Sequence, residues 1–324
     1  MDILFLGTSS GTPTKQRNVT GLAVVAENGK GWYLVDCGEA TQHQLLHTPL
    51  SVNGLRAIFI THVHGDHCYG LPGLLASAAM AGRKDALPIV APRGIEAWVR
   101  ATMELTAVFL PYALEFIATE TLTTWQDADV RVAAAALSHR VPSYAYSFTE
   151  LKVESYLDTA RLLREGIPQG PVWGRLKKGE DVAHEGTTLH GVDYLSYPNK
   201  ARKIVVGGDN DQPALLHTLC HEAQVLVHES TYTQEVADKV GSSVQHSSAA
   251  GVAAFAASAD MPNLVLTHFS ARYQSDVRQS PSIADIQSEA AAHFGGRLFL
   301  AEDFARYRLS RSGELSRIQA ATAS

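Results

Sequence analysis

The fold of this 324-residue chain is decided by residues 57–67, which read AIFITHVHGDH. An apolar run typical of a buried strand comes first, and three histidines and an aspartate follow within six residues: His62, His64, Asp66 and His67. His62 and His64 are two positions apart, so in extended backbone their side chains point the same way. Gly65 then lets the chain turn sharply. The stretch therefore predicts a loop that presents ligands to two adjacent metal ions.

Short apolar runs bounded by Gly, Pro, Asp or Asn alternate with helical patterns, which predicts an α/β protein. The predicted strands cover residues 3–6, 22–26, 32–35, 57–60, 89–91, 130–137, 203–206, 225–228, 264–267 and 297–300. The predicted helices cover residues 73–81, 94–105, 153–165, 213–222 and 247–258. Residues 166–179 are so rich in Gly and Pro that neither helix nor strand is expected there.

Three more candidate ligands directly follow predicted strands, where a rigid sheet edge can hold a side chain in place. They are His139, Asp209 and His268. We expect Asp209 to bridge two ions. One would bind His62, His64, His139 and Asp209, and the other Asp66, His67, Asp209 and His268. Imidazole with carboxylate suits Zn²⁺, whereas Mn²⁺ and Fe²⁺ prefer more oxygen ligands.

The composition excludes several classes of protein. Apolar residues make up 45% of the chain, enough to offset the ordering entropy that keeps disordered chains unfolded. Three cysteines without a C-x-x-C pair cannot form a disulfide framework. The start lacks the basic region of a signal peptide and no apolar run is long enough to span a membrane, so we expect a cytoplasmic protein.

The formal charge of −6 argues against a broadly basic nucleic-acid binder. Residues 151–180 nevertheless carry six basic and four acidic side chains, so this segment is locally basic. Because of its composition we interpret residues 150–200 as an arm inserted into the fold. A solvated surface excursion without function is the alternative interpretation.

These residues resemble the metallo-β-lactamase fold and, within it, the ribonuclease Z family of tRNA 3′-processing endonucleases, also called ribonuclease BN. The resemblance covers nearly the whole chain. Besides the metal loop it includes FLGTS at 5–9, PTKQRN at 13–18, DCGEATQ at 36–42, LKKG at 176–179, HEST at 228–231, HSS at 246–248 and THFSARY at 267–273. Asn210, Ser230 and Gln245 depart from the family pattern, which has Thr, Ala and Gly there. No departure removes a proposed ligand.

The resemblance implies a four-layer αββα sandwich, with residues 1–324 as a single domain and residues 150–200 as a flexible arm that grips tRNA. It implies a zinc-dependent endoribonuclease that removes the 3′ trailer from precursor tRNA with a metal-activated water. It further implies two Zn²⁺ per subunit, with Mn²⁺ as an alternative, and a homodimer in which one subunit's arm serves the other's active site.

The resemblance also suggests roles for residues outside the ligand set. Asp66 would accept a proton as well as bind metal, and His246 would face the leaving 3′ oxygen. Asp36 and Glu229 would orient histidines through hydrogen bonds, although strand-end caps would look the same. The candidate phosphate contacts are Arg175, Lys177 and Lys178 in the arm and Lys15, Arg17 and Arg272 near the metals.

Two other functions fit parts of the sequence. A lactonase, thioester hydrolase, arylsulfatase or cyclic-nucleotide phosphodiesterase would share the metal cluster but has no need of a basic Gly-Pro arm. A non-catalytic RNA-binding module with a structural metal would need only four closed ligands, fewer than are present here.

Overall fold

The computed structural model describes residues 1–27 and 31–318. Its contacts divide the chain into two compact units. The larger combines Met1–Thr149 with the chain from Arg202 onward, and the smaller is Glu150–Ala201. Whether the smaller unit serves as a tRNA-binding arm stays a prediction.

The described strands are β1 (Asp2–Gly7), β2 (Ser9–Ser10), β3 (Gly21–Val25), β4 (Trp32–Cys37), β5 (Leu55–Phe59), β6 (Leu87–Ala91), β7 (Leu114–Ala118), β8 (Trp125–Gln126), β9 (Val130–Leu137), β10 (Ser143–Glu150), β11 (Tyr156–Leu157), β12 (Val182–His184), β13 (Thr187–Leu189), β14 (Leu195–Ser196), β15 (Lys203–Val206), β16 (Val225–Glu229), β17 (Asn263–Thr267), β18 (Phe269–Ser270), β19 (Arg297–Leu300), β20 (Arg306–Leu309) and β21 (Leu315–Ile318).

The described α-helices are α1 (Thr41–Leu45), α2 (Gly65–Cys68), α3 (Leu71–Met80), α4 (Ile95–Leu105), α5 (Thr159–Arg164), α6 (Pro171–Leu176), α7 (His217–Cys220), α8 (Gln234–Val240), α9 (Ala249–Ser258) and α10 (Ile283–His293). The predicted helix over residues 213–222 is divided. Pro213–Leu216 is a 3₁₀ turn, and α7 follows it. In the part of the chain that the structure describes, no helix is long and apolar enough to cross a membrane.

Among the described residues, the larger unit contains two large sheets and a small one that pairs β18 with β2. The strand orders of the two large sheets are β21-β20-β1-β3-β4-β5-β6-β7 and β19-β17-β16-β15-β10-β9-β8. In the second sheet β15, β16, β17 and β19 pair in parallel. The carboxyl ends of these strands therefore meet at one edge, where open α/β sheets usually bind their ligands.

Strand β1 shows why these strands are almost continuously apolar. Successive side chains point to opposite faces, and both faces of the sheet are covered. Ile3 and Phe5 belong to the core between the two sheets, whereas Leu4 and Leu6 belong to the core beneath α1, α3 and α4. A third core lies between the outer face of the second sheet and α7, α9 and α10. The layers are helix, sheet, sheet and helix, as the predicted αββα sandwich requires.

The smaller unit has its own core, formed by Leu162, Ile167, Leu176, Val182 and Tyr194. Two predictions fail in this unit. The helix predicted over residues 153–165 begins only at Thr159, because Tyr156–Leu157 instead pairs as a strand with Leu195–Ser196. The segment expected to lack regular structure contains α6. Pro171 stands in the first turn of α6, where the missing N–H of proline costs nothing.

Candidate metal centre

The first ligand set contains His62, His64, His139 and Asp209, whose ligand atoms all lie within 4.8 Å of one another. Nδ1 of His64 lies 3.1 Å from Nε2 of His62 and 3.2 Å from Nε2 of His139. Oδ2 of Asp209 lies 3.6 Å from the His62 nitrogen and 3.7 Å from the His139 nitrogen. These residues follow β5, β9 and β15, so three strand ends in two sheets build the set.

The second ligand set contains Asp66, His67 and His268, together with the other oxygen of Asp209. The Nε2 atoms of His67 and His268 lie 3.2 Å apart. Each is 3.5 Å or less from Oδ2 of Asp66 and from Oδ1 of Asp209. Asp209 therefore directs one carboxylate oxygen to each set, which is the arrangement expected of a bridging ligand.

The spacing of these atoms fits tetrahedral metal coordination. Zinc–ligand distances of ~2.0–2.2 Å place neighbouring ligand atoms about 3.3–3.6 Å apart in a tetrahedron. The close pairs in the two sets are separated by 3.1 to 3.7 Å, and the ligand atoms of the first set all lie within 4.8 Å of one another. Since the nitrogens and oxygens of each set lie this close together, each set can hold one divalent cation.

In His67, His139 and His268 the ring nitrogen that faces away from these centres is hydrogen-bonded, which fixes the orientation of these three imidazoles. Nδ1 of His67 lies 2.7 Å from Oδ2 of Asp36, and Nδ1 of His139 donates to the backbone carbonyl of Gln245 at 2.9 Å. Nδ1 of His268 lies 3.0 Å from the Thr231 hydroxyl. Asp36 therefore contacts a histidine of the second ligand set, and its orienting role stays a prediction.

The electrostatics of the cluster also fit a bound cation. Burial lowers the pKa values of His62, His64 and His139, which keeps these imidazoles neutral and free to coordinate. Burial also acts to lower the pKa of His67, but nearby carboxylates, Asp209 foremost, outweigh it and raise that pKa well above its ordinary value. The second set thus favours positive charge, which a divalent ion can supply in place of a proton.

His246 lies at the edge of both sets. Its Nδ1 is 3.1 Å from Oε1 of Glu229 and 3.8 Å from Oδ2 of Asp209. Burial acts to lower the pKa of His246, but the Glu229 carboxylate outweighs it and raises the pKa to about 9. Glu229 also accepts a hydrogen bond from the Thr231 hydroxyl, which in turn contacts His268. It therefore orients one histidine directly and a second through Thr231.

Asn210 connects the loops around the cluster, a role that sequence reasoning missed. Its side-chain oxygen accepts from the backbone N–H of Ser138, next to His139. Its backbone N–H donates to Glu229, and its carbonyl accepts from Ser247, next to His246. The only sequence signal was the departure from threonine, which gave no indication of these contacts.

The backbone is strained at several of these positions. Asp36, Gln245 and His268 adopt positive φ values of 59°, 52° and 58°, although none is glycine. Such conformations cost roughly 1–3 kcal/mol each and are concentrated at functional sites, where the surrounding structure enforces them.

The predicted phosphate contacts have different surroundings. Lys15 and Arg272 are exposed, and Arg272 stacks on Tyr232 with its guanidinium carbon 5.1 Å from the ring centroid. Arg17 is only 8% exposed and donates to the carbonyl of Tyr273, so its guanidinium faces the protein interior. In the smaller unit Arg175 bonds Glu180, whereas Lys177 and Lys178 are exposed.

A cleft of about 420 Å³ opens over the metal centre, and we call it the metal-site cleft. Its walls include Asp66, Asp209, His246 and His268, together with residues absent from the predicted site. Gly11 donates its backbone N–H to Oδ2 of Asp66 at 2.8 Å. Tyr69 and Arg140 also line the cleft. Each directly follows a ligand-bearing segment, which is the sequence signal that could have identified them.

Comparison with known proteins establishes the family. The chain is 56% identical over 318 residues to Ribonuclease Z of Pseudomonas putida strain W619, which covers 98% of this chain and 99% of that protein. The chain belongs to the ribonuclease Z family. The family predicted from the sequence is therefore confirmed.

Other similarities agree with the fold. Human tRNase Z, short form, is 27% identical to this chain and superposes with a TM-score of 0.64. The match covers 96% of this chain and 100% of the human protein. The metallo-β-lactamase fold protein YhfI of Bacillus subtilis is 18% identical and also has a TM-score of 0.64, covering 94% of this chain and 97% of its own. The predicted fold class is thus confirmed. Residues 1–100, under a third of the chain, also match the family described as Anti-Pycsar protein Apyc1.

Two adjacent glycines before Asp209 allow a matched test of the centre. A Cβ on Gly208 would lie 2.6 Å from Cβ of Thr61 and 2.8 Å from the Tyr144 carbonyl, whereas one on Gly207 would lie 3.4 Å from the His228 ring. We expect Gly208→Ala to lower the free energy of unfolding by about 1–3 kcal/mol through overpacking and to reduce metal content. Gly207→Ala should change both much less. Urea unfolding and elemental analysis measure these effects, and equal losses in the two variants would contradict the close packing at Gly208.

Proposed function

We propose that this chain removes the 3′ trailer from precursor tRNA by hydrolysing one phosphodiester bond at a centre of two divalent metal ions. Family membership supports an endoribonuclease of tRNA 3′ processing. The observation that carries the two-ion proposal is the position of Asp209, whose two oxygens face separate ligand sets. A structural metal needs one closed set of four ligands, and that requirement explains neither the second set nor the open cleft.

Each of the two ligand sets would hold one cation. His62, His64, His139 and Asp209 would hold one ion, and Asp66, His67, His268 and Asp209 the other. Two such ions polarise a phosphoryl oxygen and make a water acidic enough to attack at neutral pH. Imidazole-rich shells favour Zn²⁺, with Mn²⁺ as the alternative.

Asp66 and His246 supply the proton transfers. Oδ2 of Asp66 faces His67 and His268 and accepts from Gly11, so Oδ1 remains to take the proton of the attacking water. The bond from phosphorus to the 3′ oxygen then breaks. His246, held through Nδ1 by Glu229, donates a proton to that oxygen. The products are a tRNA with a 3′ hydroxyl and a trailer with a 5′ phosphate.

Exposed basic groups would hold the RNA. Arg272 lies beside Tyr232, whose ring centroid is 6.0 Å from that of His246, so Arg272 is suited to a phosphate near the leaving oxygen. Lys177 and Lys178 of the smaller unit would bind phosphates farther along the tRNA. The homodimer remains a prediction of the resemblance, whereas zinc as the native metal and the cytoplasmic location remain predictions from the sequence.

The first test combines metal content with substrate choice. Protein purified without chelator should contain about two equivalents of zinc and cleave a precursor tRNA once, at the trailer junction. Chelation should abolish cleavage and added zinc should restore it. His139→Ala should lose metal, whereas His184→Ala, in the smaller unit, should not. One equivalent in the wild type would contradict the two-ion centre. Hydrolysis of bis(p-nitrophenyl) phosphate without tRNA cleavage would favour a small-molecule phosphodiesterase instead.

A second test addresses His246. We expect His246→Ala to keep its zinc while kcat on precursor tRNA falls by on the order of 10²-fold or more, because the leaving oxygen loses its proton donor. The loss should shrink for a nitrophenolate leaving group, which needs no protonation. His43→Ala, an exposed histidine of α1, is the control. Near wild-type turnover in His246→Ala would remove this residue from the mechanism.

A third test addresses the basic residues of the smaller unit. The double variant Lys177→Ala/Lys178→Ala should have a lower kcat/KM for precursor tRNA. In a plot of log kcat/KM against log salt concentration, its slope should be shallower by about 1–2, since fewer counterions are released. Hydrolysis of bis(p-nitrophenyl) phosphate should not change. Lys84→Ala/Lys239→Ala removes the same charge from the larger unit. If both double variants behave alike, these lysines make no specific contact with tRNA.

A further inference from the structure

An exposed aromatic ring stands in the wall of the metal-site cleft. Tyr69 is 65% exposed, although large aromatic side chains are usually covered. It lines the cleft together with Asp66, His246 and Arg140. The mechanism proposed above gives this ring no role.

The position of the Tyr69 ring relative to the ligands is fixed by local structure. Its backbone N–H donates to the carbonyl of Gly65 at 2.9 Å, which closes the short helix α2 that carries Asp66 and His67. A Cβ on Gly65 would lie 2.2 Å from Cε2 of the ring. The ring therefore lies directly over the backbone of the metal loop, in space that only a glycine leaves open.

A second aromatic residue supports this ring from the side. The centroid of Trp98 in α4 lies 6.2 Å from that of Tyr69, with the planes tilted by 40°. Trp98 is itself partly buried against the core beneath α3 and α4. Tyr69 is thus a supported ring that leaves much of its surface to solvent, which is the form of a stacking platform rather than of a core residue.

The charge beside the ring suits a nucleotide. Arg140 is exposed, lines the same cleft and directly follows the candidate ligand His139. A nucleotide offers a base with a flat π-face and a phosphate with negative charge, and aromatic and basic side chains together bind both.

We infer that Tyr69 stacks against an unpaired RNA base adjacent to the scissile phosphate, with Arg140 beside the neighbouring phosphate. This inference rests on the proposed function. Stacking tolerates every base because each has a π-face. Tyr69 accordingly binds the RNA at the cleavage junction whichever base is present, although the sequence there differs between precursors.

The test pairs variants of Tyr69 with abasic substrates. Precursor tRNA is prepared unmodified and with a single abasic nucleotide on the 5′ or the 3′ side of the scissile bond. In the wild type we expect one of the two abasic substrates to lose about tenfold in kcat/KM. On the unmodified substrate, the kcat/KM of Tyr69→Ala should be about tenfold below that of the wild type. On that abasic substrate, the kcat/KM of Tyr69→Ala should not fall any further. Tyr69→Phe and Tyr69→Trp should stay within about twofold of the wild type, and so should Phe109→Ala, an exposed aromatic outside the cleft.

Several results would overturn the inference. The first is a kcat/KM of Tyr69→Ala equal to that of the wild type on the unmodified substrate. The second is a further tenfold loss of Tyr69→Ala on the abasic substrate. The third is a reduced zinc content of Tyr69→Ala, which would make the ring a support for α2 instead. Failure of the proposed function is seen separately, because the wild type would then leave the unmodified precursor uncut. A wild type that cuts it, with a neutral Tyr69→Ala, refutes only the stacking.

Discussion

The carboxylate of Asp209 is the contact on which the candidate centre depends. It directs Oδ1 to one ligand set and Oδ2 to the other, so a shift of this side chain changes both sets at once. Both sequence neighbours of Asp209 help to fix its position. Gly208 packs against Thr61 and Tyr144 without room for a side chain, and Asn210 bonds the loops that carry His139 and His246. The position of this one strand end therefore sets the spacing of the two ligand sets.

Buried polar groups around the ligands serve a second purpose. Asp36, Thr231 and Glu229 are almost fully buried, and each contacts the ring nitrogen that an imidazole turns away from the centre. Acidic groups gathered so closely repel one another, and histidine protons or cations compensate that repulsion. The same arrangement that fixes the rings therefore also makes the pocket attractive to divalent ions.

Local patterns predicted the centre well because each ligand follows an apolar strand. His139, Asp209 and His268 were predicted from that position together with the His62–His67 cluster, and the structure brings them to the His62–His67 loop. Contacts between residues far apart in sequence were not predictable. The burial of Arg17 depends on Tyr273 and Phe269, and the pairing of Tyr156–Leu157 depends on Leu195–Ser196. The helix at Pro171 was missed because proline was interpreted as a breaker rather than as a first-turn residue.

The position of the insertion between β10 and β15 has a consequence for evolution. These strands are antiparallel neighbours, and Thr149 pairs with Lys203 directly beside the points where Glu150–Ala201 leaves and rejoins the sheet. In topology the smaller unit is thus an enlarged hairpin loop, and closing a longer loop costs little additional entropy. Selection can lengthen, shorten or exchange it without altering strand register. The smaller unit can therefore diversify in one part of the gene while the candidate metal centre is inherited unchanged in another.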